Sequence, residues 1–204
     1  MKLNIREKIW CLLFKFKFIR KHIFYKLARY KEKLKSLDKL KLDLNSFVID
    51  IGGNNGVVSY YILDKFECNI DIYEPNPYCV LILNKIFAKE PKIRVHESAV
   101  SNTEGFSNLY YHQFEKNYKN ISLSESSTLE TIKSNISIRK FKKVKTESIK
   151  SILDNHETIN FLKIDIEGHE YKILPEIIEN LEKIDIIFWE MHGGSHRKEF
   201  KENY

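Results

Sequence analysis

The sequence predicts an α/β fold in which helices cover both faces of a parallel sheet. Three observations lead to this prediction. Short apolar strands alternate with segments of helical pattern, a glycine-rich turn follows the first strand, and 7 Gly and 4 Pro in 204 residues leave most of the chain free for regular structure. A chain of this length is long enough for one domain with a sizeable core.

The first half of the predicted sheet begins at residues 47–51, a β-prone run that is typical of a strand buried on both faces. A glycine-rich turn over 52–56 ends this strand. The pattern then predicts a helix over 57–66, a strand over 69–73, a helix over about 78–88 and a strand over 93–97. This alternation indicates a doubly wound sheet with right-handed crossovers.

The second half is less regular. In chain order the pattern predicts a strand over 106–112, a turn over 122–128, a strand over 139–146, a short helix over 148–155, a fourth parallel strand over 161–165, a helix over 171–181 with a kink at Pro175, and a fifth strand over 184–191. The fourth and fifth strands are expected to lie side by side in the sheet.

Charge divides the chain into two parts. The whole chain carries a net charge of +6, but residues 1–45 hold 14 Lys and Arg against 4 Asp and Glu, whereas residues 46–204 hold 20 against 24. We therefore predict an N-terminal extension over 1–45 and a catalytic domain over 46–204. Because the body is acidic, the basic isoelectric point argues poorly for a nucleic-acid partner.

The N-terminal extension has the pattern of one or two amphipathic helices that end near residues 44–45. Its apolar stripe is expected to cap the acceptor side of the domain or to form a homodimer contact, because such stripes usually face a protein core. The alternative is that residues 1–40 lie on an anionic membrane at its inner face, since Lys and Arg flank the stripe.

Cysteine usage and hydropathy favour a cytoplasmic protein. Cys11, Cys68 and Cys79 are odd in number and form no C-x-x-C pair, which excludes a disulfide framework or a zinc cluster. The apolar run from Ile9 ends at Lys15, too early for a membrane span or a signal peptide.

A glycine motif follows the first predicted strand. It reads Asp50-x-Gly52-x-x-x-Gly56, and a helix begins after it. Glycines allow the backbone to approach a ligand closely, and the helix N-terminus presents free N–H groups. The motif differs from the G-x-G-x-x-G of dinucleotide enzymes and lacks the Lys-Ser/Thr of a P-loop. Alone, it also fits a plain turn of another α/β protein.

An acidic residue ends the second predicted strand. Glu74 lies 18 residues beyond Gly56, where a carboxylate can accept two hydrogen bonds from a ribose diol. The alternative is an ordinary strand-end acid, but its spacing from the glycine motif favours the ligand. The sequence Asn76-Pro77-Tyr78 follows the second strand rather than the fourth, so we assign it to the cofactor side.

Acidic and histidine side chains follow the fourth and fifth predicted strands. Asp165, Glu167 and His169 leave the fourth strand, and Glu190 and His192 leave the fifth. Together they could deprotonate a hydroxyl, or hold a divalent ion such as Mg²⁺ through the oxygens of Asp165, Glu167 and Glu190. The alternative is structural: Glu170 and Glu190 could cap helices or pair with Lys.

These motifs, in this order, resemble the FkbM family of S-adenosylmethionine-dependent methyltransferases, over about residues 47–193. The resemblance rests on Asp50-Ile51-Gly52-Gly53-Asn54-Asn55-Gly56 with Ser59, Glu74-Pro75-Asn76-Pro77, Ala99-Val100-Ser101 with Gly105, Lys163-Ile164-Asp165-Ile166-Glu167-Gly168-His169-Glu170, and Glu190-Met191-His192. The D-x-E-G-x-E element is the most specific of these, because the glycine turn is shared with most class I methyltransferases.

The resemblance implies a Rossmann-like methyltransferase domain that methylates a sugar hydroxyl of a glycan, a glycolipid or a sugar nucleotide. It also implies roles for individual residues. Asp50, Gly52, Asn54 and Gly56 would line the methionine end of the cofactor, Ser59 would belong to the same binding site, Glu74 would hold the ribose with Asn76 beside it, and Ser98 and Ala99 would flank the adenine. Asp165, Glu167 and His169 would face the acceptor, supported by Glu190 and His192.

The sequence departs from this fold at its C-terminal end. Only 12 residues follow His192, where the fold usually continues with a helix and an antiparallel strand pair. We therefore expect the fifth strand to be an exposed edge. Two other functions remain: a nucleic-acid methyltransferase that uses the basic N-terminus, and an inactive module that only binds the cofactor.

Overall fold

Five parallel strands form the central sheet in the computed structural model, which describes residues 31–114, 127–131, 135–190 and 192. These strands are β1 (Phe47–Ile51), β2 (Asn69–Tyr73), β3 (Ile93–His96), β7 (Phe161–Ile164) and β8 (Ile187–Trp189), numbered in chain order. Their spatial order is β3-β2-β1-β7-β8, so β1 and β7 lie side by side in the middle. The predicted parallel α/β sheet is confirmed.

Helices pack on both faces of this sheet. They are α1 (Lys31–Leu37), α2 (Val57–Phe66), α3 (Pro77–Ile86), α4 (Ile149–Asp154) and α5 (Glu170–Ile178), followed by a short 3₁₀ helix over Leu181–Lys183. Alternate side chains of β1 point to opposite sides: Val48 joins a core with α2 and α3, whereas Ile49 joins a core with α4 and α5. The doubly wound arrangement follows from this alternation.

Local sequence signals set the helix boundaries on both sides of the sheet. The side-chain oxygen of Asn76 accepts a hydrogen bond from the N–H of Tyr78, and Pro77 occupies the first turn, so α3 begins one residue before the predicted start. Ser148 caps α4 in the same way. Pro175 lies inside α5 without ending it. The predicted helix over 171–181 is in fact two elements, because the chain turns after Ile178 into the 3₁₀ helix.

A second sheet lies beside the first. Its strands are β4 (Ala99–Ser101), β5 (Gly105–His112) and β6 (Ile136–Ser148), in the order β4-β6-β5. β5 and β6 run antiparallel, and β4 runs parallel to β6. The sequence indicated β5 and most of β6 but not β4, because a three-residue strand paired with residues 146–148 leaves no local signal. Most of the predicted turn over 122–128 lies outside the described residues.

The predicted N-terminal extension lies largely outside the described residues, which begin at residue 31. Helix α1 ends at Leu37, before the predicted end near 44–45. Leu34 and Leu37 are buried in the same core as α2. Thus the described end of the extension packs on the domain. Within the described part of the chain, none of the helices has the length and apolarity needed to cross a membrane.

Strand β8 is shorter than predicted, three residues instead of the eight expected over 184–191. Ile184 instead forms an isolated bridge with Ile159, ahead of the strand proper. In the ranges that the structure describes, β8 pairs with β7 alone. Among the described strands, β8 is therefore at one edge of the central sheet.

Candidate active site

A cleft of about 270 Å³ opens at the carboxyl ends of β1, β2, β7 and β8. Its walls include the glycine turn after β1, Glu74 after β2, the loop 165–169 after β7, and Glu190 after β8. Residues 127–129, beside the second sheet, form part of another wall. The position is the one where open α/β sheets bind ligands, and the volume is just below the usual range of about 300–1,000 Å³.

The glycine turn packs against the end of β7. Gly52 has a φ of 80°, and a Cβ atom there would lie 1.9 Å from the carbonyl oxygen of Asp165. A side chain at this position would therefore collide with protein backbone before it reached a ligand. Gly56 has a φ of 78°, and its missing Cβ faces the side chains of Leu83 and Phe87 on α3. Gly56 thus serves packing, and it is not among the described residues that line the cleft.

Glu74 binds two segments of backbone. Its carboxylate accepts hydrogen bonds from the N–H groups of Asn54, at 2.7 Å, and Asn76, at 2.8 Å. The side chain is buried, and this burial raises the pKa of the carboxyl to about 7, although the two N–H donors act in the opposite direction. Each carboxylate oxygen has a second lone pair, so Glu74 can still accept hydrogen bonds from hydroxyl groups of a ligand.

A buried ion pair lies beneath the turn. Lys163 and Asp50 face each other across β7 and β1, and the Lys163 Nζ lies 2.8 Å from Asp50 Oδ1. The same Nζ donates to the carbonyl of Gly52 at 2.9 Å and lies 3.8 Å from Asp165 Oδ2. Ser59 donates to the other oxygen of Asp50 at 2.5 Å. Asp50 and Ser59 therefore hold the turn from below, and neither is among the described residues that line the cleft.

The far end of the cleft is strongly acidic. Asp165 and Glu167 line it, and Glu167 adopts a left-handed φ of 59° that turns the loop back towards α5. His192 lies beside them, with its Nε2 atom 3.9 Å from Asp165 Oδ1 and 3.5 Å from Glu167 Oε2. Its Nδ1 atom lies 2.9 Å from Oε1 of Glu170. This hydrogen bond and the neighbouring carboxylates raise the pKa of His192, against the effect of burial.

His169 connects three segments of the chain. Its Nδ1 atom lies 2.6 Å from Oε1 of Glu130, and its Nε2 atom lies 2.9 Å from the hydroxyl of Ser101. All three side chains are at least nine-tenths buried. Both ring nitrogens of His169 are thus engaged in hydrogen bonds. Neither has a free lone pair with which His169 could accept a proton as a catalytic base. The geometry favours a role for His169 in positioning the loop 165–169.

The structure brings eight of the residues proposed from the sequence into the cleft wall: Gly52, Asn54, Glu74, Ala99, Asp165, Glu167, His169 and Glu190. Six others lie behind or beside it within the described chain: Asp50, Gly56, Ser59, Asn76, Ser98 and His192. Ser98, expected to flank an adenine, is 1% exposed and is not among the described residues that line the cleft. Ala99, its neighbour, does reach the wall.

Sequence reasoning missed three groups at this site: Lys163, Glu130 and residues 127–129. Lys163 did leave a signal, because a lysine inside a strand buried on both faces needs a partner of opposite charge. Glu130 and residues 127–129 left none, since they lie in an irregular segment far along the chain from the residues that they approach.

Comparison with protein families gives one match. The model described as Methyltransferase FkbM domain matches residues 50–202, about three quarters of the chain. No curated protein was found to match the chain.

Proposed function

Since the chain belongs to the FkbM methyltransferase family, we propose that it transfers a methyl group from S-adenosylmethionine to a hydroxyl oxygen of a sugar. One observation carries the proposal. A single cleft joins the glycine turn and Glu74 at one end to Asp165, Glu167 and Glu190 at the other. A methyl donor and an acceptor in this cleft would therefore meet at the carboxyl end of β7.

The residues of the first end fit the methyl donor. Gly52 and Asn54 offer backbone to its methionine part, Glu74 offers a carboxylate to its ribose, and Ala99 offers an apolar surface to its adenine. The hydroxyl of Ser127 is buried in the cleft wall and has no hydrogen-bond partner among the described residues, so it can serve a polar ligand. When bound, S-adenosylmethionine supplies an electrophilic methyl group on a cationic sulfur.

The residues of the second end fit an alcohol acceptor. A sugar hydroxyl is too weakly acidic to ionise at neutral pH, so its proton must pass to a base as the oxygen attacks. Asp165, Glu167 and Glu190 are the carboxylates at this end of the wall that can accept it. Lys163 lies beside Asp165, and His192 lies beside Asp165 and Glu167. We assign the base to Asp165 and a positioning role to His169.

The acceptor class rests on the chemistry of the wall and on the family. Carboxylates of Glu167 and Glu190 can accept hydrogen bonds from the remaining hydroxyls of a sugar, which an apolar acceptor would not offer. We propose a glycan, a glycolipid or a sugar nucleotide as the acceptor, in the cytoplasm. For residues 1–45 we retain the proposal of a cap or homodimer contact, with an anionic membrane surface as the alternative.

The function is tested by methyl transfer from S-adenosylmethionine labelled on its methyl group. The full chain is incubated with a panel of sugar nucleotides, glycans and glycolipids, and with RNA and DNA as competing classes. We expect label on a sugar oxygen, located by mass spectrometry. Labelling of nucleic acid alone would replace the proposed acceptor, and absence of cofactor binding in calorimetry would refute the assignment of the cleft.

We predict that affinity for S-adenosylmethionine rises with pH through the pKa of Glu74. Because that pKa is raised to about 7, the carboxyl is mostly protonated at pH 6 and mostly ionised at pH 8. The ionised form accepts hydrogen bonds from both ribose hydroxyls. Because the ionised fraction rises about tenfold between pH 6 and pH 8, calorimetry should show an affinity about tenfold higher at pH 8.

Two variants control for groups of the ligand that titrate in the same range. In Glu74→Gln the affinity should be lower and this part of the pH dependence should disappear. In Glu97→Gln, where an exposed acid outside the cleft is changed, the pH dependence should remain. Equal pH profiles for the native protein and Glu74→Gln would show that Glu74 does not bind the ligand.

A further inference from the structure

We propose that Asp165, Glu190 and His192 bind one divalent transition-metal ion, of the Mn²⁺ class, at the acceptor end of the cleft. The inference rests on the proposed function and deepens it, because it adds a binding site for an ion to the site of the acceptor. It replaces the Mg²⁺ site expected on Asp165, Glu167 and Glu190, since an imidazole takes the place of one carboxylate.

The three side chains converge from two neighbouring strands. Asp165 follows β7 and Glu190 follows β8, and the N–H of Glu190 donates to the carbonyl of Ile164 at 3.0 Å. One donor atom from each of Asp165, Glu190 and His192 lies within 4.8 Å of the others. Two ligand atoms at about 2.1 Å from one ion lie about 3–4 Å apart, so a contraction of about 1 Å would complete the site.

The imidazole of His192 is oriented in the manner of a metal ligand. Its Nδ1 atom faces Oε1 of Glu170 at 2.9 Å, and Glu170 is fully buried. Glu170 is fixed in turn by the N–H groups of Ile166 and Gly168, at 2.9 and 2.8 Å. The hydroxyl of Tyr171 donates to the carbonyl of His192 at 3.1 Å. A carboxylate that holds one ring nitrogen in this way sets the other towards a metal.

The free side of that imidazole points to carboxylates at distances that are too long for hydrogen bonds. His192 Nε2 lies 3.9 Å from Asp165 Oδ1 and 3.5 Å from Glu167 Oε2. An ion bound to both His192 and Asp165 would replace the 3.9 Å contact between them by direct bonds.

Charge favours a cation at the same point. Asp165, Glu167, Glu170 and Glu190 bring four carboxylates together at the carboxyl ends of β7 and β8. Lys163 approaches Asp165 at 3.8 Å, but it lies 2.8 Å from Asp50 and is committed to that pair. A divalent ion would offset the remaining negative charge.

The donor set selects the class of ion. Two carboxylate oxygens and one imidazole nitrogen suit Mn²⁺, Fe²⁺ or Zn²⁺ better than Ca²⁺ or Mg²⁺, which prefer oxygen ligands. In the cleft, such an ion would bind one oxygen of Asp165 and orient the acceptor hydroxyl as a Lewis acid, while the other oxygen of Asp165 would take the hydroxyl proton.

The test is a titration of the full chain, freed of metal by a chelator, with Mn²⁺ alone. Electron paramagnetic resonance measures free Mn²⁺, and neither cofactor nor acceptor is added. We expect one Mn²⁺ per chain, and affinity at least tenfold lower in Asp165→Asn and in His192→Gln, in line with the tenfold to hundredfold effects of weakened metal sites. Glu182→Gln, an exposed acid in the 3₁₀ helix, should bind Mn²⁺ as the native protein does.

Absence of stoichiometric Mn²⁺ binding, or equal affinity in the native protein and all site variants, would overturn the metal site. Circular dichroism checks the fold of each variant, and Glu190→Gln, which changes an exposed side chain, serves if another variant unfolds. Calorimetry with S-adenosylmethionine on the same metal-free samples separates the two proposals. Cofactor binding without Mn²⁺ binding rejects the ion and leaves the proposed function intact.

Discussion

Replacing Asp165 by Asn is expected to lower the turnover of methyl transfer by about 10²–10⁴-fold, the usual contribution of a general base. Asn has the same shape but cannot take the hydroxyl proton. The backbone of Asp165 remains against Gly52, so the glycine turn keeps its position. Affinity for S-adenosylmethionine should therefore change little. Initial rates at saturating cofactor and calorimetry on the same samples measure the two effects.

Asp185→Asn provides the matched control, because Asp185 lies just before β8, at the amino ends of the strands and away from the cleft. It should retain full turnover. His169→Gln tests the positioning role: Gln can keep one of the two hydrogen bonds to Ser101 and Glu130, so a smaller loss than in Asp165→Asn is expected. Native turnover in Asp165→Asn would remove this residue from the mechanism, and an equal loss in His169→Gln would restore His169 as a candidate base.

Replacing Lys163 by Met is expected to lower the free energy of unfolding by about 3–5 kcal/mol, because it leaves the carboxylate of Asp50 buried without its cation. Asp50 is fully buried and Lys163 is 2% exposed. Met fills most of the volume of the lysine stem, so the loss reports on charge rather than on a cavity. Urea denaturation followed by circular dichroism gives the free energy of unfolding of both proteins.

A second substitution separates charge from shape. In Lys163→Met with Asp50→Asn, the buried carboxylate is gone and most of the stability should return, since a neutral pair needs no cation. Lys150→Met removes the lysine of an exposed pair with Asp154 on α4 and should leave the denaturation midpoint almost unchanged. If Lys163→Met has the same urea denaturation midpoint as the native protein, the ion pair is not essential to the turn.

The parts of the fold that the sequence predicted are those with local signals. β1, α2 and β2 begin and end at the predicted residues, because apolar runs are separated by glycines and by charged residues. The second sheet could not be foreseen as a separate unit. Its β4 is only three residues long and pairs with residues 146–148. The sequence pattern around β4 predicts neither its length nor its partner.

In the site, too, the features with local sequence signals were predicted and those that depend on distant contacts were not. The motifs predicted which residues would gather at the carboxyl ends of the strands, and the structure places Glu74, Asp165 and Glu167 in one cleft. They could not predict what each side chain touches. Position 52 must be glycine because a side chain there would collide with the carbonyl of Asp165, more than 100 residues later in the chain. His169 forms hydrogen bonds with Ser101 and Glu130. Such contacts depend on tertiary packing alone.

The central place of β1 has a consequence for how quickly the enzyme assembles. Phe47 of β1 pairs with Asn69 of β2, 22 positions later, whereas Val48 pairs with Phe161 of β7, 113 positions later. Closing the longer loop loses more chain entropy, and folding slows as contacting residues lie further apart in sequence. The part of the cleft formed by the glycine turn and Glu74 can form from one contiguous stretch of chain. Asp165 joins it only when β7 pairs with β1, so the proposed catalytic base takes its place at the closure that we expect to be the slowest.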